Sequence, residues 1–264
     1  MILLAILSLL VWLYLVAAHG RFWQSGPVLA ADRPRTAPGV VAVVPARNEA
    51  RFIDASLRSL LAQDYPGPFR IVLVDDGSTD GTGAIARALG SSQIRVLTGA
   101  SRPPGWSGKL WAVAQGVAEA TRMGTGTEWP ELILLTYADI VHDPCHLSTL
   151  VAEAERRDLD LVSEMVALSC VNVSERMLVP TFVFFFQLLY PFASVNDERR
   201  RIAAAAGGTI LIRSRALDRI GGIEAVRGAL IDDVALATAV KRGGRIWLGH
   251  TALARSVRPY PRFS

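Results

Sequence analysis

Asp75 and Asp76 close the apolar run at residues 71–74 and are followed by Gly77, Ser78 and Asp80. Two carboxylates at a strand end, with Gly and Ser opening the next helix, can accept hydrogen bonds from a nucleobase imide and a ribose hydroxyl. The plainer use of the same residues is an N-cap box over 78–80 with two solvated aspartates in the turn. A second apolar run, 40–44, ends in Pro45-Ala46-Arg47-Asn48-Glu49. A third, 132–136, ends in Tyr137-Ala138-Asp139. An Asp there can coordinate Mg2+ or Mn2+, whose charge would stabilise a departing diphosphate, or it can simply cap the helix that follows Pro144. His142 is near enough in sequence to be a second ligand, although a turn histidine is the more common case.

Two further groups could act on a substrate. Lys109 follows Gly105 and Gly108 at a helix start, in a chain with 28 basic residues that uses lysine only at 109 and 241. An ammonium there suits a compact contact with phosphate; a solvated surface lysine is the alternative. Asp232 and Asp233 open the stretch DDVALATAVKRGG. Like charges side by side can raise one carboxyl pKa toward that of a general base, and two acids at a helix N-terminus also serve the helix dipole. Neither GxGxxG nor the P-loop pattern occurs, so dinucleotide and P-loop readings lose their main support.

Such residues need a scaffold that brings strand ends together. Apolar runs at 40–44, 71–74, 94–97, 132–136 and 159–165 alternate with helical stretches at 50–63, 79–89, 110–121 and 144–157, and a later set follows at 209–212, 232–241 and 245–248. The alternation implies βαβ units and a mainly parallel α/β sheet flanked by helices, where ligands bind at the carboxyl ends of the strands. A length of 264 residues has room for one such domain, expected over 40–264 after a Pro-, Gly- and Arg-rich linker at 21–39.

Hydrophobic residues make up 51% of the chain, and the excess collects in two stretches. Residues 1–18 carry no charge; as a helix they span about 27 Å, near the roughly 30 Å of a bilayer core. Residues 1–20 are therefore expected to be a transmembrane anchor. A cleaved signal fits less well, because no Lys or Arg opens the segment. Arg21, Arg33 and Arg35 follow it, which places the rest of the chain in the cytoplasm. The second stretch, 177–195, is interrupted by Pro180, Gln187 and Pro191. A proline inside a helix costs about 3 kcal/mol, so one straight span is disfavoured, and a helix in the membrane interface and an ordinary core helix both fit. The net charge of +4 comes without the long basic run that nucleic-acid binding calls for. Cys145 and Cys170 are isolated, as expected of reduced cytosolic thiols.

Taken together, VVPARNEA at 43–50, VDDGSTDGT at 74–82, YADI at 137–140 and IDDVALA at 231–237 resemble the family 2 glycosyltransferases, inverting enzymes of the Rossmann-like GT-A fold. Within that family, PPGWSGKLWAVAQG, FVFFFQLLYPFASVNDERRRIAAAAGGTILIRSRAL and LIDDVALATAVKRGGRIWLG are similar to the hopene-associated glycosyltransferases of bacterial hopanoid gene clusters. The resemblance implies transfer of a sugar from a nucleotide-sugar donor, UDP-linked by expectation, to a lipid acceptor at the bacterial inner membrane. It also implies a divalent cation, Mg2+ or Mn2+, as cofactor. Asp75 or Asp76 would hold the nucleoside with help from Pro45, Glu49 and Ala138. Lys109 would sit near the donor and Asp139 would bind the metal. Asp233, with Asp232 beside it, would deprotonate the acceptor hydroxyl. Tyr137 stands where the family's Asp-Ala-Asp has an acid. The chain stops at Ser264, where relatives continue into an Arg/Gln-rich motif and further membrane helices, so a truncated C-terminal segment is expected. The competing readings are a catalytically silent nucleotide- or lipid-binding domain and a transferase using polyprenyl phosphate.

Overall fold

Val, Ile and Leu dominate the strands and drive an eight-stranded sheet that is buried on both faces. The computed structural model describes residues 1–123 and 130–259. In chain order the elements are α1 (Ile2–Ala18), β1 (Val40–Ala46), α2 (Ile53–Leu61), β2 (Phe69–Asp75), α3 (Thr82–Ala88), β3 (Ile94–Thr98), α4 (Gly108–Arg122), β4 (Leu132–Thr136), β5 (Ile140–His142), α5 (His146–Arg156), β6 (Leu161–Ala167), α6 (Val173–Leu189), α7 (Phe192–Val195), β7 (Thr209–Arg213), α8 (Ser214–Arg219), a 3-10 turn at Ile223–Val226, α9 (Asp232–Lys241) and β8 (Ile246–Ser256). The sheet order is β3-β2-β1-β4-β7-β6-β8-β5.

Side chains alternate across a strand, so β1 feeds two cores. Val41 and Val43 join Leu110 and Val113 of α4 and Leu236 and Val240 of α9. Val40, Ala42 and Val44 join Ile53 and Leu57 of α2 and Leu147 and Leu150 of α5.

Strands β1, β2, β3 and β4 run parallel, which brings the ends of β1, β2 and β4 to one edge. The expectation of a mainly parallel sheet holds for this half. The other half is mixed: β7 lies antiparallel between β4 and β6, and β5 pairs antiparallel with β8. The reversal matters for the site, because Thr209 at the start of β7 pairs with Thr136 at the end of β4. The loop before β7 therefore opens onto the same edge as the carboxyl ends.

Two expectations about apolar segments change. Among the described residues no helix is long and apolar enough to cross a membrane. The single span expected over 1–20 is therefore not supported; α1 has 17 residues and buries none of them. Helix α6 runs unbroken through Pro180, and it is not an ordinary core helix. It buries Glu175 and Gln187, while Met177, Leu178, Phe182, Phe184, Phe185 and Leu189 are exposed. Its start is fixed by a capping box between Asn172 and Glu175.

The segment that follows α1 is pinned to the domain at several points between His19 and Arg35. His19 Nε2 bonds the Leu188 carbonyl at 2.8 Å, buried Phe22 meets Phe184 edge-on at 5.7 Å, the Leu29 N–H donates to the His250 carbonyl at 2.8 Å, and the Arg35 N–H donates to Glu155 at 2.8 Å. Residues 260–264, the end of the expected domain, lie outside the described residues.

Candidate active site

The loops after β1 and β2 are stitched together by the residues that first drew attention in the sequence. Asn48 takes a left-handed conformation, φ 56°, which an Asn tolerates better than most residues. Its side chain accepts the Thr79 N–H at 2.9 Å, and its own N–H donates to Ser78 Oγ at 3.0 Å. Asp80 accepts from the Ala50 N–H at 2.9 Å and from the Thr82 hydroxyl at 2.6 Å; these bonds, the Thr82 hydroxyl first, hold its pKa below the usual carboxylate range. Asp75 turns inward and accepts the Ser78 N–H at 3.0 Å. Asp76 faces the cavity at the strand ends, with Arg47 3.7 Å away. The pair thus divides into a loop-builder and a cavity residue.

Opposite these loops, α4 begins at the cavity floor. Ser107 caps it, its hydroxyl accepting the Leu110 N–H at 3.2 Å, and this sets Lys109 over the edge of the sheet. The Lys109 ammonium donates to the Tyr137 hydroxyl at 2.7 Å and pairs with Asp232 at 2.7 Å. It also lies 4.5 Å from the Tyr137 ring centroid. Burial works against this cation, but Tyr137 and Asp232 outweigh it and leave its pKa raised.

Asp233 lies on the cavity wall, whereas Asp232 sits behind Lys109. Its carboxylate accepts the Gly207 N–H at 2.8 Å and the Val234 N–H at 2.8 Å. Burial, and then the neighbouring Asp232 charge, push its pKa up. Gly207 is required for this approach, because a β-carbon there would overlap the Tyr137 hydroxyl.

Asp139 is buried, 7% exposed, and its Oδ2 accepts from Ser256 Oγ at 2.9 Å and from Arg258 Nε at 3.1 Å. The other arm of Arg258 donates to both Glu49 oxygens at 2.5 and 2.6 Å. His142 turns away from Asp139 into the core. Its Nδ1 lies 2.9 Å from Nδ1 of His146, and burial, then the charge of His146, push its pKa well down. It is a core histidine.

These groups surround a cavity of about 700 Å³, within the usual range for a small-molecule site. Pro45, Glu49, Asp76, Lys109, Ala138, Asp139 and Asp233 line it, as the sequence led one to expect; Asp75 and Asp232 do not. Sequence reasoning missed Ser256, Arg258 and Gly207, and also the apolar wall of Met165, Val166, Leu168, Phe182 and Phe186. The conspicuous run of Phe in α6 was the signal for part of that wall; nothing local in the sequence marked Arg258.

The cavity lies at the carboxyl ends of β1, β2 and β4, where an open α/β sheet binds its ligand, and it joins these acids to an apolar wall. The model of the family described as glycosyl transferase family 2 matches residues 41–221. The chain belongs to that family. The family 2 domain resembles the mannosyltransferase PcManGT of Pyrobaculum calidifontis, solved with GDP-Man and Mn2+, at TM-score 0.60 and 24% identity over 94% of this chain and 68% of that one. It also resembles residues 1–349 of Staphylococcus aureus TarS, solved with UDP, at TM-score 0.56 and 18% identity over 83% of this chain and 60% of that one. At these identities the likeness speaks for a GT-A-like fold. Among curated proteins, the 4,4'-diaponeurosporenoate glycosyltransferase of Staphylococcus aureus strain MRSA252 is 37% identical over 78 residues, 30% of this chain. The match covers 20% of that protein's own length.

The family 2 frame allows the expected divalent cation to be tested against the side chains. Among the described residues no three His, Cys, Asp or Glu side chains are grouped to hold a metal ion. Tyr137 presents a phenol, and the carboxylate of Asp139 is already engaged by Ser256 and Arg258. As built, Asp139 is the carboxylate that would meet a divalent cation, and its Oδ2 is already shared by Ser256 and Arg258.

Proposed function

We propose that this family 2 domain transfers a sugar from a nucleoside-diphosphate sugar to the hydroxyl or acid oxygen of an apolar lipid, with inversion at the anomeric carbon. One observation carries the reading: Asp233, a carboxylate with raised proton affinity, sits on a cavity whose one end is lined by charged groups and whose other end is walled by apolar side chains of β6 and α6. The nucleoside would lie against Pro45, Asp76 and Glu49. In the reaction the acceptor oxygen gives its proton to Asp233 and forms a bond to the anomeric carbon, while the bond from that carbon to the diphosphate oxygen breaks and the nucleoside diphosphate leaves. Asp232, paired with Lys109, serves to hold that lysine in place, and its negative charge raises the basicity of its neighbour.

A lipid acceptor is supported by α6, which buries polar residues and exposes aromatic ones. That is the reverse of a helix facing water. The uncovered α1 is joined to it through Phe22, and the two would seat the domain on a bacterial inner membrane, facing the cytoplasm. The name of the Staphylococcus relative points to a carotenoid-type acceptor, and the sequence resemblance points to a hopanoid-type one; both are apolar isoprenoid lipids.

The test is to incubate the chain in lipid vesicles with radiolabelled UDP- and GDP-sugars and an isoprenoid lipid extract. Label moving into the organic phase, with the product anomer inverted relative to the donor, is the expected result. Nucleotide binding without any organic-phase product would instead support a silent binding domain.

A further inference from the structure

Three of the chain's own cations line the cavity beside its acids. Arg47 faces Asp76, Lys109 faces Asp232, and Arg258 bridges Glu49 and Asp139. Of the three, Arg258 is the most elaborately held. Its guanidinium reaches three carboxylate oxygens, its backbone N–H donates to Ser256 Oγ at 3.2 Å, and its planar group lies 5.0 Å from the Phe52 ring centroid. The acids outweigh its burial and raise its pKa, so it is a permanent charge.

A guanidinium matches phosphate as well as it matches carboxylate, with a planar fork of donors. Its side chain is 42% exposed and it lines the cavity, so it can exchange one anion for another without unfolding. A divalent cation held by the Asp139 carboxylate would lie beside the guanidinium that now bonds its Oδ2, so the two cations compete for one carboxylate.

Resting on the nucleotide-sugar reading above, we infer that Arg258 is the resident cation of the donor site. It meets the diphosphate of the donor directly, and a divalent metal at Asp139 competes with it for the same carboxylate. Tyr137 fits this arrangement, since a site that carries its own cation at Asp139 has no need of a second acid at that position.

Calorimetric titration of the full chain with UDP and GDP, in excess chelator and again with Mn2+, separates this inference from the reading beneath it. The wild type is expected to bind at least one of the two in chelator. Arg258→Met, which keeps an unbranched apolar stem and removes the fork, is expected to bind it about tenfold more weakly there, the loss of a charge-assisted hydrogen bond. Mn2+ alone is expected to bind Arg258→Met about tenfold more tightly than the wild type, by the same measure. Arg258→Lys should recover part of the nucleotide affinity in chelator. Wild-type binding that appears only with Mn2+, or equal Mn2+ affinity in wild type and Arg258→Met, overturns the resident-cation inference and leaves the donor reading standing. Binding of neither nucleotide under either condition overturns both. The wild-type arm decides the matter even where a variant fails to fold.

Discussion

Asp233 and Asp232 are adjacent in sequence and differ in what they face. Asp232 is paired with Lys109, while Asp233 looks onto the cavity and accepts from two backbone N–H groups. Burial and the Asp232 charge raise its pKa, so it holds a proton to higher pH than an ordinary carboxyl near 3.9. A general base works only when deprotonated, so kcat/KM for transfer should rise with pH through a midpoint above the ordinary carboxylate range. In Asp232→Asn the like charge is gone and Lys109 is freed, both of which favour the ionised form of Asp233, so the midpoint should move to lower pH. A pH–rate profile of the two proteins checks this, and a midpoint that stays put or rises would separate Asp233 from the base role. Legibility at this scale was uneven. Asp76, Asp139 and Asp233 could be picked out because each follows a strand or opens a helix, and the cavity gathers all three. The role of Asp75 could not be read, because whether it faces a ligand or caps Ser78 depends on a side-chain turn that composition does not encode. Arg258 was illegible for a different reason: it reaches Glu49 across 209 positions of sequence, a distance over which no local pattern carries.

Among the elements, β1 to β4 with their helices were legible because period and spacing dictate them: apolar runs of strand length separated by amphipathic stretches have few other ways to bury both faces. Strand β7 was placed but its direction was not, since hydrophobic pattern is blind to strand polarity. Its reversal is what delivers Gly207 to Asp233. Strand β5, three residues long, is too short to register as a period. Helix α6 left two readings open because Pro180 and the Phe run fit both; the burial of Glu175 and Gln187 with the aromatics outward decides against the core. If α1 and α6 meet lipid, as proposed, a membrane-soluble carbene probe in vesicles should label peptides from α1 and from residues 177–189 and spare α2 and α5. Labelling spread evenly over the helices, or absent from α6, would remove the membrane face from the account.

As a whole the molecule is a sheet with one chemically loaded edge and one apolar flank, and the cavity lies where they meet. The family was readable from short stretches in the right order, and the match over 41–221 takes in three of them, at 43–50, 74–82 and 137–140. The joining of edge and flank was not readable, because it depends on α6 folding back beside β6 and bringing Phe182 and Phe186 to the same cavity as Asp233. This geometry makes a joint demand: nucleotide binding and sugar transfer share a pocket but depend on different residues. The most direct measurement is therefore to follow both in Asp233→Asn, titrating UDP and GDP alongside the transfer of labelled sugar into the organic phase. Nucleotide affinity is expected to stay within about twofold of wild type, because Asp233 is placed at the acceptor side, while transfer falls by at least about a hundredfold, the scale of a lost general base. Transfer that continues at the wild-type rate in Asp233→Asn would contradict the account.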